Sequence, residues 1–278
     1  MAVVNTNIGA SVAQAALANN ARDLRSAMTE LSTGKKINSA ADNASGLAMS
    51  NRMTSQINGL GAAIDNAQDA ISMVNTAEGA LEEITDMLQR MRELAVSAKN
   101  GTTTAEDRDY IDAEYQKLIA EIERVAQNTQ WNGGNVIDGT AGTSGTVTFH
   151  VGANSSQTID VVFGDMTNSG TGKMATVATG DVDTTANAGT AITNLDTAIK
   201  DVSNQRAVFG AASNQLEHAV DNLTNVKINA EASRSRILDT DYAESTAELA
   251  RTQIIQQAGT AMLAQANQLP QTVLALLQ

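Results

Sequence analysis

The sequence predicts a mainly α fold: a long antiparallel, coiled-coil-like helical bundle built from both halves of the chain, with a small β-hairpin-containing insert in the middle. Three observations predict it. Apolar residues recur at alternating three- and four-residue spacing over long stretches on both sides of the chain's centre, which keeps one seam on one helix face. Aromatics are only 3% of the 278 residues and the single proline is Pro270, so buried area must come from Ala, Leu, Ile, Val and Met, the vocabulary of long packed helices. Between residues 139 and 190 the composition turns to Gly, Thr, Ser, Asn and Asp, which breaks the helical pattern.

The elements follow in order. A helical stripe through Ala13, Leu17, Ala21, Leu24, Met28 and Leu31 opens the chain. The strongest seam comes next: Met53, Ile57, Leu60, Ile64, Ala67, Ile71 and Val74, continuing as Ala77, Leu81, Ile84, Leu88, Met91, Ala95 and Ala98. At 1.5 Å per residue this predicts a rod-like helix on the order of 80 Å long. Asn100-Gly101 supplies its stop and turn. Thr104, with Asp107 three residues on, is the expected N-cap of a helix that folds back antiparallel through Ile111, Tyr115, Leu118, Ile122 and Val125. Alternation at Val147–Val151 and Thr158–Val161, separated by Gly152-Ala153-Asn154-Ser155-Ser156, reads as a hairpin, and a weaker strand is expected over Met174–Ala178. A third seam runs Ile192, Leu195, Ile199, Val202, Phe209, Leu216, Val220, Leu223, Val226, with Arg206 and Ser213 as interruptions. The last stripe holds Leu249, Ile254, Ile255, Ala258, Met262, Leu269, Val273 and Leu277. The two terminal stripes are short on partners within one chain; paired with each other or with neighbouring copies they are expected to be ordered mainly in the assembly, and to be marginal helices alone.

Composition narrows the function. Eighteen Lys and Arg face 31 Asp and Glu, a formal charge of −13, which argues against nucleic acid, whose phosphates need a basic footprint. Cysteine is absent, so neither disulfides nor thiolate metal sites hold the fold. The opening residues lack the charged leader and apolar run of a signal peptide, and no stretch reaches the ~18 apolar residues of a membrane span.

No catalytic constellation emerges, and no cofactor or metal site is expected. His150 and His218 are the only histidines, and neither lies in a His-Glu-x-x-His pattern. Glu82-Glu83 reads as a solvated helix face and Asp239/Asp241 as a turn before a helix. Asn58-Gly59-Leu60-Gly61 reads as close helix packing rather than a phosphate loop.

The chain resembles the bacterial flagellins. The resemblance rests on Leu31-Ser32-Thr33-Gly34, Ile37-Asn38-Ser39-Ala40, Asp42–Ala48, Glu78-Gly79-Ala80-Leu81, Leu88–Val96 and Asn128–Gly133 in the first half. In the second half it rests on Ser235-Arg236-Ile237, Asp239–Ala243, Ile255–Gly259 and Leu263–Gln271. It covers roughly residues 1–138 and 190–278, and Val151–Asn154 is similar to the family's hairpin. It implies five segments: 1–42 and 236–278 as the two halves of a filament-core helical domain, 43–138 and 191–235 as the two parts of a rod-like helical domain, and 139–190 as a short solvent-facing variable insert, without the large outer domains of longer members.

What this implies is a structural, non-enzymatic subunit that self-polymerises into the extracellular flagellar filament that drives swimming. The implied partners are other copies of the chain, an export chaperone, the type III export apparatus, hook–filament junction proteins, the filament cap and the innate receptor TLR5, with no nucleic acid and no membrane insertion. Candidate assembly seams are Leu17, Leu24, Leu31, Ile57, Ile64, Ile71, Leu88, Leu216, Leu223, Ile255, Met262 and Leu269. The receptor resemblance falls on Gln89, Arg90, Glu93, Leu94 and Glu114, with Met91 as a departure; a solvated or subunit-packing helix face is the plainer reading of the same residues. Candidate O-glycan acceptors are Thr143, Ser144, Ser155, Ser156 and Thr167, which read equally well as a polar loop. A junction protein sharing the terminal helices, a surface adhesin and an enzyme carried on the same scaffold are the alternatives.

Overall fold

A computed structural model describes residues 6–170 and 172–275, with side chains through residue 268. The order is α1 (Ile8–Thr33), α2 (Ala44–Lys99), α3 (Ala105–Asn128), β1 (Gln130–Trp131), β2 (Gly134–Asn135), β3 (Thr146–His150), β4 (Thr158–Val162), α4 (Ala175–Ala178), α5 (Thr185–Leu238) and α6 (Tyr242–Ala275). Two compact units emerge: residues 1–57 with 229–278, and residues 58–228, so the dividing points fall inside the continuous helices α2 and α5.

In the first unit, α1 begins where the Asn7 side chain accepts the Ala10 N–H, and it ends at Gly34, whose φ of +69° suits a residue without Cβ. Beyond that cap the chain is tied to its other half by backbone. Lys36 N–H donates to the Leu238 carbonyl at 2.7 Å, and Thr240 N–H donates to the Gly34 carbonyl at 3.1 Å. The Asp42 carboxylate accepts the N–H groups of Asn38 and Ser39, which hold it below the usual Asp range, the Ser39 bond contributing most. Asp241 accepts from the Ala243 N–H at 2.9 Å, so the acidic pair of this turn includes the cap that starts α6. Helix α6 then runs antiparallel to α1: Ser245 Oγ donates to Glu30, Asn20 Nδ2 to the Thr252 carbonyl and Asn7 Nδ2 to the Ala266 carbonyl, in opposed order along the two helices.

The second unit holds the main core. Leu81, Ile84, Leu88, Met91, Ala95 and Ala98 of α2 are fully buried, as the seam predicts. Helix α3 starts at a complete capping box, Thr104 and Asp107 bonding each other's backbone N–H, and buries Tyr115, Ile119, Ile122 and Ala126. Burial pushes the Tyr115 phenol up to about 12, with Asp112 and Asp181 adding to the shift. Helix α5 returns antiparallel to α2, marked by Arg206–Glu78 and Arg92–Asp196 ion pairs, both at 2.7 Å. Such solvent-screened pairs contribute little to stability; they report the register more than they hold it.

The α5 seam departs from the sequence reading at its two interruptions, where Gln205 and Ala212 turn inward, and at its end, where Val226 is exposed. The inward position between Val202 and Phe209 belongs to Gln205, which is 3% exposed, while Arg206 leans outward to Glu78. A buried amide needs partners, and Gln205 has them: its Nε2 donates to the Val162 carbonyl at 2.6 Å and its Oε1 accepts from Lys173.

The insert lies against this core. β3 and β4 pair antiparallel with Val147 opposite Val161 and Phe149 opposite Ile159. Val161 is buried, and Val147, Phe149 and Ile159 pack on the cluster. A second, tighter hairpin joins β1 to β2 through Asn132-Gly133, both at positive φ, the two-residue turn that favours Asn-Gly. The strand expected over Met174–Ala178 does not form. Those residues make the short α4, where Ala178 N–H bonds the Met174 carbonyl and both Met174 and Val177 are buried on one face. Their three-residue separation suits a helical turn and would put them on opposite faces of a strand.

Candidate functional site

The residues singled out in the sequence divide by what they touch. Among the assembly seams, Ile57, Leu88, Leu216 and Leu223 are buried within the chain. They build the folded subunit and offer no surface to a neighbour, which corrects their reading as assembly contacts. Leu17, Leu24, Leu31, Ile64 and Ile71 are half-buried. Ile255 is 40% exposed and Met262 65% exposed. The side chain of Leu269 lies outside the described residues.

The α1–α6 pair explains the division. The face of α6 that meets α1 carries Ser245, Thr252, Gly259 and Leu263, while Ile254, Ile255, Ala258 and Met262 turn outward. Two residues that the apolar pattern passes over set this geometry. Asn20, 6% exposed, stands between Leu17 and Leu24 and spends its amide on the Thr252 carbonyl at 2.8 Å. A single buried Asn in a seam fixes register at a cost in stability. Gly259 lets the backbones close: a Cβ there would lie 2.8 Å from Leu17 Cδ2. Asn20 was legible as the one polar residue at seam spacing; Gly259 was legible only as a glycine inside a helix.

The first unit thus buries little and exposes much. Among the described residues its buried apolar side chains are Ala27, Ile37 and Ile57, while Ile8, Val12, Met28, Met49, Tyr242, Ile254, Ile255 and Met262 are exposed.

A second group gathers on the other unit. Arg90 donates from Nε and Nη2 to Glu114 Oε1 at 3.0 and 2.9 Å and from Nη1 to Glu93 at 3.2 Å, so α2 and α3 bring these three residues together at the surface. The two carboxylates raise the Arg90 pKa, the Glu114 hydrogen bond most. Gln89, Glu93, Arg92 and Val96 line an open depression beside them. Leu94 does not join the patch: it is 7% exposed and belongs to the core, because it lies on the seam side of α2.

Thr143, Ser144, Ser155 and Ser156 are exposed. Thr167 is a correction: it is 6% exposed and its hydroxyl donates to Asp165 at 2.7 Å, so it cannot present an acceptor for a glycan. His218 is exposed on α5, and His150 sits in β3 with its carbonyl accepting from Asn66. Among the described residues no cluster of three or more His, Cys, Asp or Glu is placed to hold a metal ion, and no helix is long and apolar enough to cross a membrane.

Comparison with known proteins matches residues 4–142 to the bacterial flagellin N-terminal helical region and residues 192–277 to the bacterial flagellin C-terminal helical region. A flagellin of Halalkalibacterium halodurans is 43% identical over 277 residues, covering 99% of this chain and 100% of the relative. The flagellar filament 33 kDa core protein of Treponema phagedenis is 44% identical over 285 aligned positions, with 99% and 100% covered. The crystal structure of Bacillus cereus flagellin is 36% identical and superposes with a TM-score of 0.50 over 57% of this chain and 88% of that one. With both terminal regions matched and full-length relatives above 40% identity, the chain belongs to the bacterial flagellin family.

Proposed function

We propose that this chain works as the structural subunit of the extracellular flagellar filament by burying the outward faces of α1 and α6 against further copies of itself. The structural role and the filament location are those of the family to which it belongs. The observation that carries the mechanism is the imbalance of the first unit, three buried apolar side chains against eight large exposed ones. Two helices with so small a core are marginal in water, and coupling their burial to polymerisation supplies the missing stabilisation. Electron microscopy and sedimentation under polymerising conditions test this. The full chain is expected to form filaments, and a chain ending at Arg236, which lacks α6, is expected to stay monomeric. Filaments from the shortened chain would place assembly elsewhere, and a full chain that fails to extend preformed seeds would favour a junction role.

The finer partners belong to the same proposal and rest on the family resemblance: a chaperone on the C-terminal segment, the type III export apparatus, junction proteins at the base and a cap at the tip. Recognition of the shed monomer by TLR5 has its own support, the exposed Arg90–Glu93–Glu114 cluster. Arg90→Ala is expected to weaken a receptor-reporter response at least tenfold, because interface energy concentrates in a few Arg and packed anchors. Since these exposed ion pairs are screened by solvent and contribute little to stability, the variant should fold normally. An unchanged response from folded monomer would remove the cluster from the receptor site.

A further inference from the structure

The sequence contains three Asn-Gly steps, at Asn58-Gly59, Asn100-Gly101 and Asn132-Gly133, and the fold treats each differently. This dipeptide can modify itself. The backbone nitrogen of the glycine attacks the Asn side-chain carbonyl carbon, closing a five-membered succinimide; the glycine N–H proton leaves with the amide nitrogen as ammonia. Water then opens either ring carbonyl, giving aspartate or isoaspartate. The balance is one water consumed and one ammonia released. The reaction needs a free glycine N–H and a backbone able to bring that nitrogen onto the carboxamide, which is a question of reachable geometry.

Asn58-Gly59 lies inside α2, where the glycine N–H is committed to the helix ladder, and Gly59 is backed by Ala153. Asn132-Gly133 is held at φ +49° and +80° between paired residues, Gln130 with Asn135 and Trp131 with Gly134. Asn100-Gly101 has none of these restraints. It follows the last residue of α2, both residues are exposed, and nothing lies within 4 Å of where a Gly101 Cβ would stand. Asn100 uses its own N–H on the Ser97 carbonyl and its carbonyl on the Thr103 N–H, but the Gly101 N–H meets no protein acceptor among the described residues. The Asn100 carboxamide already points forward along the turn, its Oδ1 3.4 Å from the Thr102 nitrogen.

We propose that Asn100 is a self-modification site, converting spontaneously to aspartate and isoaspartate at the α2–α3 turn. Conversion places a carboxylate at the C-terminal end of α2, the negative end of its dipole, one residue after Lys99. The isoaspartate form adds a methylene to the main chain in the turn that sets how α3 folds back. A subunit outside the cell keeps such a change, so it would record the age of the protein.

The test incubates the full-length monomer in mildly alkaline buffer at body temperature. Peptides are then made with pepsin at low pH, where succinimide formation does not run, and read by mass spectrometry with an isoaspartate-specific methylation assay. The Asn100 peptide is expected to convert first, with the Asn58 and Asn132 peptides slower by about tenfold or more. Gly101→Ala, which meets no neighbour and sits at a φ open to alanine, is expected to slow Asn100 conversion by about tenfold while leaving the helical spectrum unchanged. Equal rates at the three steps, or an Asn100 amide that survives while a short peptide of the same sequence converts, would overturn the assignment.

Discussion

Phe209→Ala is expected to lower the stability of the second unit by about 3–5 kcal/mol, the cost of a cavity left by a buried aromatic. Phe209 is 1% exposed, lies on the α5 seam between Gln205 and Ala212, and stacks tilted on Phe163 with ring centroids 5.3 Å apart. Aromatics are scarce in this core, so the loss cannot be shared among similar neighbours. Phe163 follows β4 and its N–H is tied to the Gly145 carbonyl at 2.7 Å, which keeps it from collapsing into the space. Thermal unfolding followed by circular dichroism should show a midpoint lower by roughly 6–20 °C for a unit of this size. Phe209→Leu, which keeps most of the volume, should fall between the variant and the parent. A midpoint within a degree or two of the parent would mean that the β-insert repacks over the gap and is not a rigid part of this core.

Gly259→Leu is expected to abolish filament formation while leaving the second unit intact. The first methyl already comes within 2.8 Å of Leu17 Cδ2. Leu17 can rotate away from a single methyl, so Gly259→Ala should cost little, its gain of ~1 kcal/mol in helix propensity offsetting the shift. A leucine has no such escape: its branched end needs the space that Leu17 fills, and overpacking costs ~1–3 kcal/mol. That is large for a helix pair whose described buried apolar side chains are few. The spread helices would also strain the Asn20–Thr252 bond. Sedimentation of polymerising mixtures measures the effect, and Leu17→Ala should restore assembly to Gly259→Leu through a coupling that neither change shows alone. Normal filaments from the single variant would show that Gly259 does not face α1 in the assembled subunit.

Both expectations depend on a division that was half visible in the residues. The long seams of α2, α3 and α5 were readable because a three–four spacing sustained from Met53 to Ala98 admits one secondary structure and one buried face. The Thr104–Asp107 capping box and the β3–β4 hairpin were readable for a similar reason: each is a local pattern whose backbone partners lie within a few residues. The short α4 was misread as a strand because a few apolar residues fit either period, and length alone could not arbitrate.

The candidate sites were less legible. Arg90, Glu93 and Glu114 do meet, but Leu94 and Thr167, polar or apolar by type alone, could not be sorted into surface or interior. Burial is a property of the packed neighbours, not of the residue. The sequence alone determined that this chain is built from long helices drawn from both halves and that its ends carry apolar stripes, since periodicity is written into the order of residues. Only the tertiary structure decided which side of each stripe is spent inside the chain. On α6, Thr252 and Gly259 face α1, and the more apolar Ile254, Ile255 and Met262 face outward. The physical reason is close approach: two helices pack where small residues and a buried Asn let their backbones come together, and the bulkier apolar side chains are left to the surface where another copy can cover them.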